Sequence, residues 1–153
     1  MLREKLGDFS SIVCFKAAIT GMEEALGEKA TAIALTAAGR SRGKNLVKDL
    51  GLSRTSLDWD VIADKMAFAL GENGTKLLII ESIVEADDVI KVSTSETLSS
   101  AGEPQGSSRK CTYTLGAVWG ALEEITGKRL KGAHTESVVR GANNDVFEFE
   151  SLI

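Results

Sequence analysis

The segment AAGRSRGKNL, residues 37–46, carries two glycines, three basic residues and an asparagine after an apolar run. Such a composition raises the question of phosphate binding, because glycine lets backbone amides approach an anion. A nucleotide-binding loop places four residues between its glycines, then a lysine, then a hydroxyl residue that holds magnesium. Only three residues separate Gly39 from Gly43, and Asn45 stands where the hydroxyl is required. The preceding ATAIALTAA is rich in alanine and favours a helix, so the sequence argues against a phosphate site.

The same glycines are better explained by helix packing. Gly39 and Gly43 lie four positions apart and fall on one face of a helix. Each costs about 1 kcal/mol of helix stability relative to alanine, which close approach of another backbone can offset. Gly116 and Gly120 repeat the spacing, so we predict tight packing between these two helices or across a dimer. The basic residues beside the first pair should then point to solvent or to a partner: Arg40, Arg42 and Lys44.

Residues for nucleophilic or metal chemistry are few. His134 is the only histidine, and nothing in the sequence places it beside Cys14 or Cys111, so we expect it on the surface. Two isolated cysteines without an export signal are expected to be free thiols. Cysteine and histidine together supply three zinc ligands at most, fewer than a structural site uses, and we expect no metal.

Adjacent carboxylates occur three times, and neighbouring residues on a helix point in different directions. We therefore expect solvated faces at Glu23–Glu24, Asp87–Asp88 and Glu123–Glu124. No catalytic set emerges, so we assign no catalytic residue and favour a protein that is not an enzyme.

Apolar and thiol-bearing side chains are the remaining candidates for a site, although most of them should simply form the core. If one cluster lines a cavity, it would suit a hydrophobic ligand with few polar anchors. The candidate ligand-binding residues are Cys14, Phe15, Met66, Cys111, Tyr113, Trp119 and Phe147.

Four helices must position these side chains. Apolar residues spaced by three and four predict helices over residues 12–26, 30–50, 55–70 and 115–125. A glycine follows the end of each one and can terminate it. These are Gly27, Gly51, Gly71 and Gly127.

Two β-hairpins complete the predicted elements. KLLIIESIVEADDVIKVSTS turns at residues 86–88, and its first run is apolar on both faces, so we expect both sides to be covered. AHTESVVRGANNDVFEFESLI turns near residues 141–144, with Phe147 and Phe149 on one face. Residues 95–110 form a long polar connection that we expect to be flexible, either disordered or a flap over a pocket. The sequence predicts an α+β fold with an antiparallel sheet.

Composition limits the class of protein. The 153 residues suit a single domain over residues 1–153, with 43% hydrophobic and 26% charged residues. A net charge of −4 argues against nucleic-acid binding, which needs a basic face. The sequence lacks a long apolar run and begins with charged residues, so we expect a cytoplasmic protein.

The C-terminal third, CTYTLGAVWGALEEITGKRLKGAHTESVVRGANNDVFEF, resembles the closing module of the 4-vinyl-reductase domain family. The similarity covers about residues 30–150, and the last forty positions are the most distinctive. The matching outline is a cysteine, a glycine-bearing helix, an acidic strand, a glycine turn and an aromatic strand. It is carried by Cys111, Gly116, Gly120, Gly127, Glu136, Gly141, Phe147 and Phe149.

The resemblance implies the α/β fold of TRAPP subunits and haem nitric-oxide sensors, with a homodimer and a small hydrophobic ligand. It implies a carrier or assembly factor for a tetrapyrrole or chlorophyll-type molecule in photosynthetic bacteria, with photosynthetic assembly proteins as partners. Two alternatives stay open, an interaction module without ligand and an enzyme or accessory subunit of tetrapyrrole metabolism. No nicotinamide, flavin or iron–sulfur motif supports reductase activity.

The chain departs from the family at the final hairpin, where many relatives carry two cysteines. Those positions correspond to Ser137 and Asp145, or to Val139 and Phe147 in another register. Metal binding through these thiols is therefore not expected here.

Overall fold

The computed structural model describes all 153 residues and contains four helices, one short 3-10 helix and four strands. The elements are α1 (Ile12–Leu26), α2 (Glu28–Asp49), α3 (Trp59–Leu70), β1 (Ile79–Ala86), β2 (Val89–Ser95), α4 (Thr112–Thr126), β3 (Leu130–Glu136), the 3-10 helix (Val138–Arg140) and β4 (Asp145–Ser151). The predicted α+β class, with two hairpins and four helices, is confirmed.

The two hairpins join into one antiparallel sheet with the strand order β1-β2-β4-β3. The first hairpin turns at Asp87 and Asp88, whose φ angles of 52° and 61° are of the kind that short asparagine- and aspartate-rich turns adopt. Strands β2 and β4 pair at the centre, so that Val92 lies opposite Phe147. Both side chains are fully buried and form the middle of the core beneath the helices.

The expectation that both faces of the first strand are covered is wrong. Strand β1 lies at the edge of the sheet, and its Ile79 and Val84 are 40% and 54% exposed. The run looked apolar on both sides because Leu77 and Leu78, which precede the strand, are buried in the core. A register shift between Ile80 and Ser82 further disturbs the simple alternation.

Helices α2 and α4 meet at the four spaced glycines. A Cβ atom on Gly39 would lie 2.8 Å from the backbone nitrogen of Ala117, and one on Gly43 would lie 2.8 Å from that of Ala121. Gly116 and Gly120 face the backbone of α2 at Thr36 and Arg40 in return. Moving four residues forward along α2, from Gly39 to Gly43, moves the contact four residues forward along α4, from Ala117 to Ala121. The two helices therefore run parallel. A role of these glycines in a dimer stays a prediction.

Helix α1 lies outside the continuous core that α2, α3, α4 and the sheet share. It begins at Ser11, whose Oγ accepts a hydrogen bond from Val13 N at 3.1 Å, a usual way to satisfy a free amide at a helix start. Only Ile19 of this helix is buried. None of the helices combines the length and apolar character needed to cross a bilayer.

Candidate functional site

An apolar cleft of about 510 Å³ lies where α1 meets the core. Its inner wall consists of buried side chains from different elements, with Leu46 on α2, Leu77 before β1 and Ala117 on α4. Its outer wall is the segment that leads into α1, where Phe9 and Ile12 are 55% and 42% exposed. The cleft is thus bounded on one side by the buried core and on the other by the peripheral N-terminal segment.

The lining chemistry of this cleft differs from that of two other hollows in the molecule. Nine of its sixteen lining residues are hydrophobic. A hollow of about 640 Å³ near the N-termini of α2 and α4 has three of twelve, and one of about 230 Å³ near the end of α4 has none of seven. Ligand pockets for small organic molecules have volumes of roughly 300 to 1,000 Å³ and mostly apolar walls, and this cleft matches both criteria.

Two of the predicted ligand-binding residues, Phe15 and Tyr113, line the cleft. Their rings meet edge to face, with centroids 5.4 Å apart, so they close the cleft between α1 and α4. Edge-to-face contact is a favourable geometry for aromatic pairs.

The other five predicted ligand-binding residues do not line the cleft. Cys14 is exposed on α1. Met66, Cys111 and Phe147 are buried in the core. Trp119 packs edge-on against Phe149 and donates a hydrogen bond from Nε1 to Leu130 O at 3.0 Å. Their assignment to a ligand site stays a prediction to which the cleft adds no support.

Most of the cleft could not be identified from the sequence, because the lining residues come from five separate segments. Leu46 follows Gly43 by three positions on α2, and Ala117 follows Tyr113 by four positions on α4. Each pair therefore lies on one face of its helix. That spacing is a signal that could have identified them. Leu98, in the polar connection, has no local pattern that would have indicated its place in the wall.

The connection between β2 and α4 is tied to α1 by ion pairs. Lys16 Nζ lies 2.9 Å from Glu103 Oε1, and Arg109 bridges Glu103 and Glu23. The hydrogen bond from Lys16 lowers the pKa of Glu103 more than burial raises it. Leu98 of this segment also lines the cleft, so the segment connects α1 to the wall of the site. The predicted flexibility of residues 95–110 stays a prediction.

A second group of polar residues lies buried between the final hairpin and the start of this connection. Asp145 Oδ1 is 3.0 Å from His134 Nε2, and its Oδ2 accepts hydrogen bonds from Ser100 and Thr97. Burial alone would raise the pKa of Asp145, but the hydrogen bonds from His134, Thr97 and Ser100 outweigh burial and hold the pKa well below its ordinary value. An ionised carboxylate only accepts, so His134 must carry its proton on Nε2.

The expected surface position of His134 is therefore wrong. Its side chain is 6% exposed, because His134 lies directly opposite the buried Phe147 in the pairing of β3 with β4, and opposite residues share a face of the sheet. Cys111 Sγ lies 3.4 Å from Ser100 Oγ. The sequence offered no sign that Cys111, His134 and Asp145 come together.

These three residues offer donor atoms within 4.8 Å of one another, of the types that zinc accepts. A closed structural site uses four ligands, and both Asp145 oxygens are already engaged by hydrogen bonds. The Nδ1 atom of His134 is buried without a partner. The absence of a metal stays a prediction.

The Cys111 thiol is not arranged as an activated nucleophile. Burial raises its pKa, the hydrogen bonds with Ser100 and Thr97 only partly oppose this, and the negative charge of Asp145 raises the pKa further. A nucleophilic cysteine requires a lowered pKa, so this group of residues acts as a hydrogen-bonded network that fixes the hairpin to the connection.

Glu123 also departs from the expectation of a solvated face. It is 8% exposed, and its Oε2 lies 2.7 Å from Arg40 Nη2 and 3.4 Å from Lys44 Nζ. Burial would raise the pKa of Glu123, yet the hydrogen bond from Arg40 and that from Leu130 N lower it below its ordinary value. Arg40 therefore points to α4, where it also stacks 4.6 Å from the Trp119 ring, rather than to solvent.

No family model matches the sequence, and no curated protein matches it. Solved structures do share the fold. The phenol-responsive sensory domain of the transcription activator PoxR, determined with phenol, aligns over 95% of this chain and 76% of its own, with a TM-score of 0.71 and 11% identity. Trafficking protein particle complex subunit 3 from Naegleria fowleri, covalently bound to palmitic acid, aligns over 93% of each chain, with a TM-score of 0.62 and 13% identity.

A vinyl-4-reductase family protein from Methanocaldococcus jannaschii aligns over 97% of this chain and 86% of its own, with a TM-score of 0.51 and 18% identity. All three identities are low, so the similarity establishes the fold. The predicted fold, common to TRAPP subunits and 4-vinyl-reductase proteins, is confirmed at that level.

Proposed function

We propose that this chain binds a small hydrophobic molecule in the apolar cleft beneath α1. The observation that carries this proposal is the lining of the cleft, where Leu46, Leu77 and Ala117 form a buried apolar wall. An apolar ligand would also cover the exposed faces of Phe9 and Ile12, and each Å² of apolar surface removed from water contributes roughly 25 cal/mol.

Two proteins of the same fold support this proposal. The PoxR sensory domain was determined with phenol, and the Naegleria fowleri subunit carries palmitic acid. Both molecules are small and largely apolar, which is the chemistry that this cleft suits. Because the sequences are so different, the position of the ligand in this chain rests on its own lining residues.

The identity of the ligand and the role of the protein are proposed from the family resemblance in the sequence. We infer a tetrapyrrole or chlorophyll-type ligand, a homodimer, and a role as carrier or assembly factor in photosynthetic bacteria. Titration of protoporphyrin into the protein tests the ligand. A saturable change in its absorption spectrum supports the tetrapyrrole, whereas an unchanged spectrum overturns that part and leaves binding of a smaller hydrophobic molecule in place.

Binding of a neutral fluorescent probe, N-phenylnaphthylamine, tests the central proposal. The Leu98→Trp substitution adds bulk at the cleft wall and should weaken binding at least about tenfold, because a filled apolar pocket cannot accept a ring without displacing packed atoms. Phe68→Trp is the matched control, since Phe68 is 64% exposed on α3 and does not line the cleft.

Saturable binding to the wild type and to Phe68→Trp, with weak binding to Leu98→Trp, supports the cleft as the site. Absence of saturable binding, or equal binding to all three proteins, overturns the proposal. Circular dichroism of each variant shows whether its fold is retained.

A second candidate function, an interaction module, is favoured by the exposed apolar side chains of α1. Val13 and Leu26 are 72% and 63% exposed, and exposed apolar patches often mark protein contacts. Sedimentation of the wild type and of Val13→Glu tests this candidate. A dimer that Val13→Glu dissociates supports a contact surface on α1, and a monomer for both proteins removes this support.

A further inference from the structure

Arg42 differs from its basic neighbours in having no partner. Arg40 and Lys44, two positions to either side, both pair with Glu123. Arg42 points to the opposite side of α2, lines the apolar cleft and is half-buried. It belongs to none of the ion pairs of the molecule. A guanidinium beside apolar walls is the group that a ligand carboxylate would satisfy.

The remaining charges of the cleft reinforce this positive character. Lys76 lines the same hollow and lies 5.3 Å from the centre of the Phe9 ring, and it belongs to none of the ion pairs of the molecule. The only acidic lining residue is Asp8, and its carboxylate accepts a hydrogen bond from Leu2 N. The first turn of α1, which also borders the cleft, has no acidic residue, so its amides add to the positive potential.

We propose that the ligand of this cleft is a hydrophobic carboxylic acid, whose apolar body lies against Leu46 and Ala117 and whose carboxylate binds Arg42. The inference rests on the proposed function and specifies its ligand class. The apolar walls accept an alkyl chain and an aromatic ring alike, and the carboxylate is the group that Arg42 recognises.

Displacement of neutral N-phenylnaphthylamine by matched ligand pairs tests this inference at neutral pH, where the acids are ionised. One pair is decanoic acid and decanol, and the other is naphthoic acid and naphthalenemethanol. Each is titrated against the wild type, Arg42→Met and Lys48→Met. Lys48 is exposed on the same helix and lies outside the cleft, so Lys48→Met removes one positive charge without changing the site.

In Arg42→Met, we expect at least one acid to bind about tenfold more weakly, equivalent to about 1.4 kcal/mol. Its neutral partner should keep its affinity, and Lys48→Met should behave as the wild type. The pair that shows the effect identifies the alkyl or the aromatic body. Because the probe is neutral, its own binding should be unaffected by either substitution.

Equal losses for an acid and its neutral partner, or equal effects of Arg42→Met and Lys48→Met, would overturn the carboxylate inference while probe binding still supports the hydrophobic site. Failure of the probe to bind the wild type would instead remove the proposed function, and the carboxylate inference with it.

Discussion

The imidazole of His134 and the carboxylate of Asp145 form a buried pair, with Nε2 3.0 Å from Oδ1. Asp145 also accepts hydrogen bonds from Thr97 and Ser100, which lie in the connection between β2 and α4. One carboxylate therefore holds the final hairpin and this connection together, and the connection in turn supplies Leu98 to the cleft.

Removal of the negative charge of Asp145 should make the protein less stable, and the size of this effect should depend on pH. The pKa of Asp145 in the folded protein lies below its ordinary value, and that of an unfolded aspartate is about 3.9. The unfolded chain therefore binds more protons, so the contribution of Asp145 is complete at neutral pH and is lost as the pH falls below about 5. At neutral pH, Asp145→Asn should reduce the free energy of unfolding by about 2 kcal/mol.

Urea unfolding of the wild type and Asp145→Asn across this pH range measures both effects. The difference between the two proteins should shrink as the pH falls. Asp64→Asn, at an exposed position of α3, is the control and should change little at any pH. A stable Asp145→Asn protein with a difference independent of pH would contradict the account of this network.

The contact of α2 with α4 should be sensitive to a single methyl group. Gly43→Ala places a Cβ atom 2.8 Å from Ala121 N, so the helices must separate, and we expect a loss of about 3 kcal/mol. Gly21→Ala is the control, because Gly21 lies in α1 with open space around it and should gain up to about 1 kcal/mol. Thermal or urea unfolding gives the comparison, and similar stabilities of the two variants would contradict the packing described.

The two thiols should differ in reactivity. Cys14 is exposed, whereas Cys111 is buried and burial raises the pKa of its thiol. Iodoacetamide reacts with the thiolate, so the native protein should gain one label, at Cys14, and the unfolded protein should gain two. Mass spectrometry counts the labels, with Cys14→Ser as the control that should remain unlabelled while folded. Rapid labelling of Cys111 in the native protein would show that its surroundings are more open than the structure has them.

The connection between β2 and α4 should loosen when its ion pair with α1 is removed. Lys16 Nζ is 2.9 Å from Glu103 Oε1 and also donates to Ser99 O at 3.2 Å. In Lys16→Met, amide hydrogen exchange over residues 96–110 should become faster, since these contacts no longer oppose local opening. Lys65→Met, exposed on α3, is the control. Unchanged exchange in Lys16→Met would indicate that the network around Asp145 holds the segment by itself.

The periodic elements could be predicted from the sequence because their signals are local. Ile12, Phe15 and Ile19 share one helix face, and Asp87 and Asp88 mark a turn between two β-rich runs. The tight contact of the glycine-bearing helices follows equally from a spacing of four.

The polar networks could not be predicted, because they depend on long-range register. The pairing of β3 with β4 places His134 opposite the buried Phe147, and the alternation within β3 alone does not show which of its two faces is covered. Glu123 is buried on α4, where Arg40 of α2 pairs with its carboxylate. The cleft presents the same difficulty, since Leu77, Leu98 and Ala117 meet only after the fold is complete.

The most direct test of the hydrophobic site is a map of amide chemical shifts as N-phenylnaphthylamine is added to the labelled protein. We predict saturable changes concentrated at the amides of Leu46, Leu77, Leu98 and Ala117, with none on the solvent face of the sheet at Glu148. Changes confined to another part of the surface, or no saturable change at all, would contradict the assignment of this cleft as the binding site.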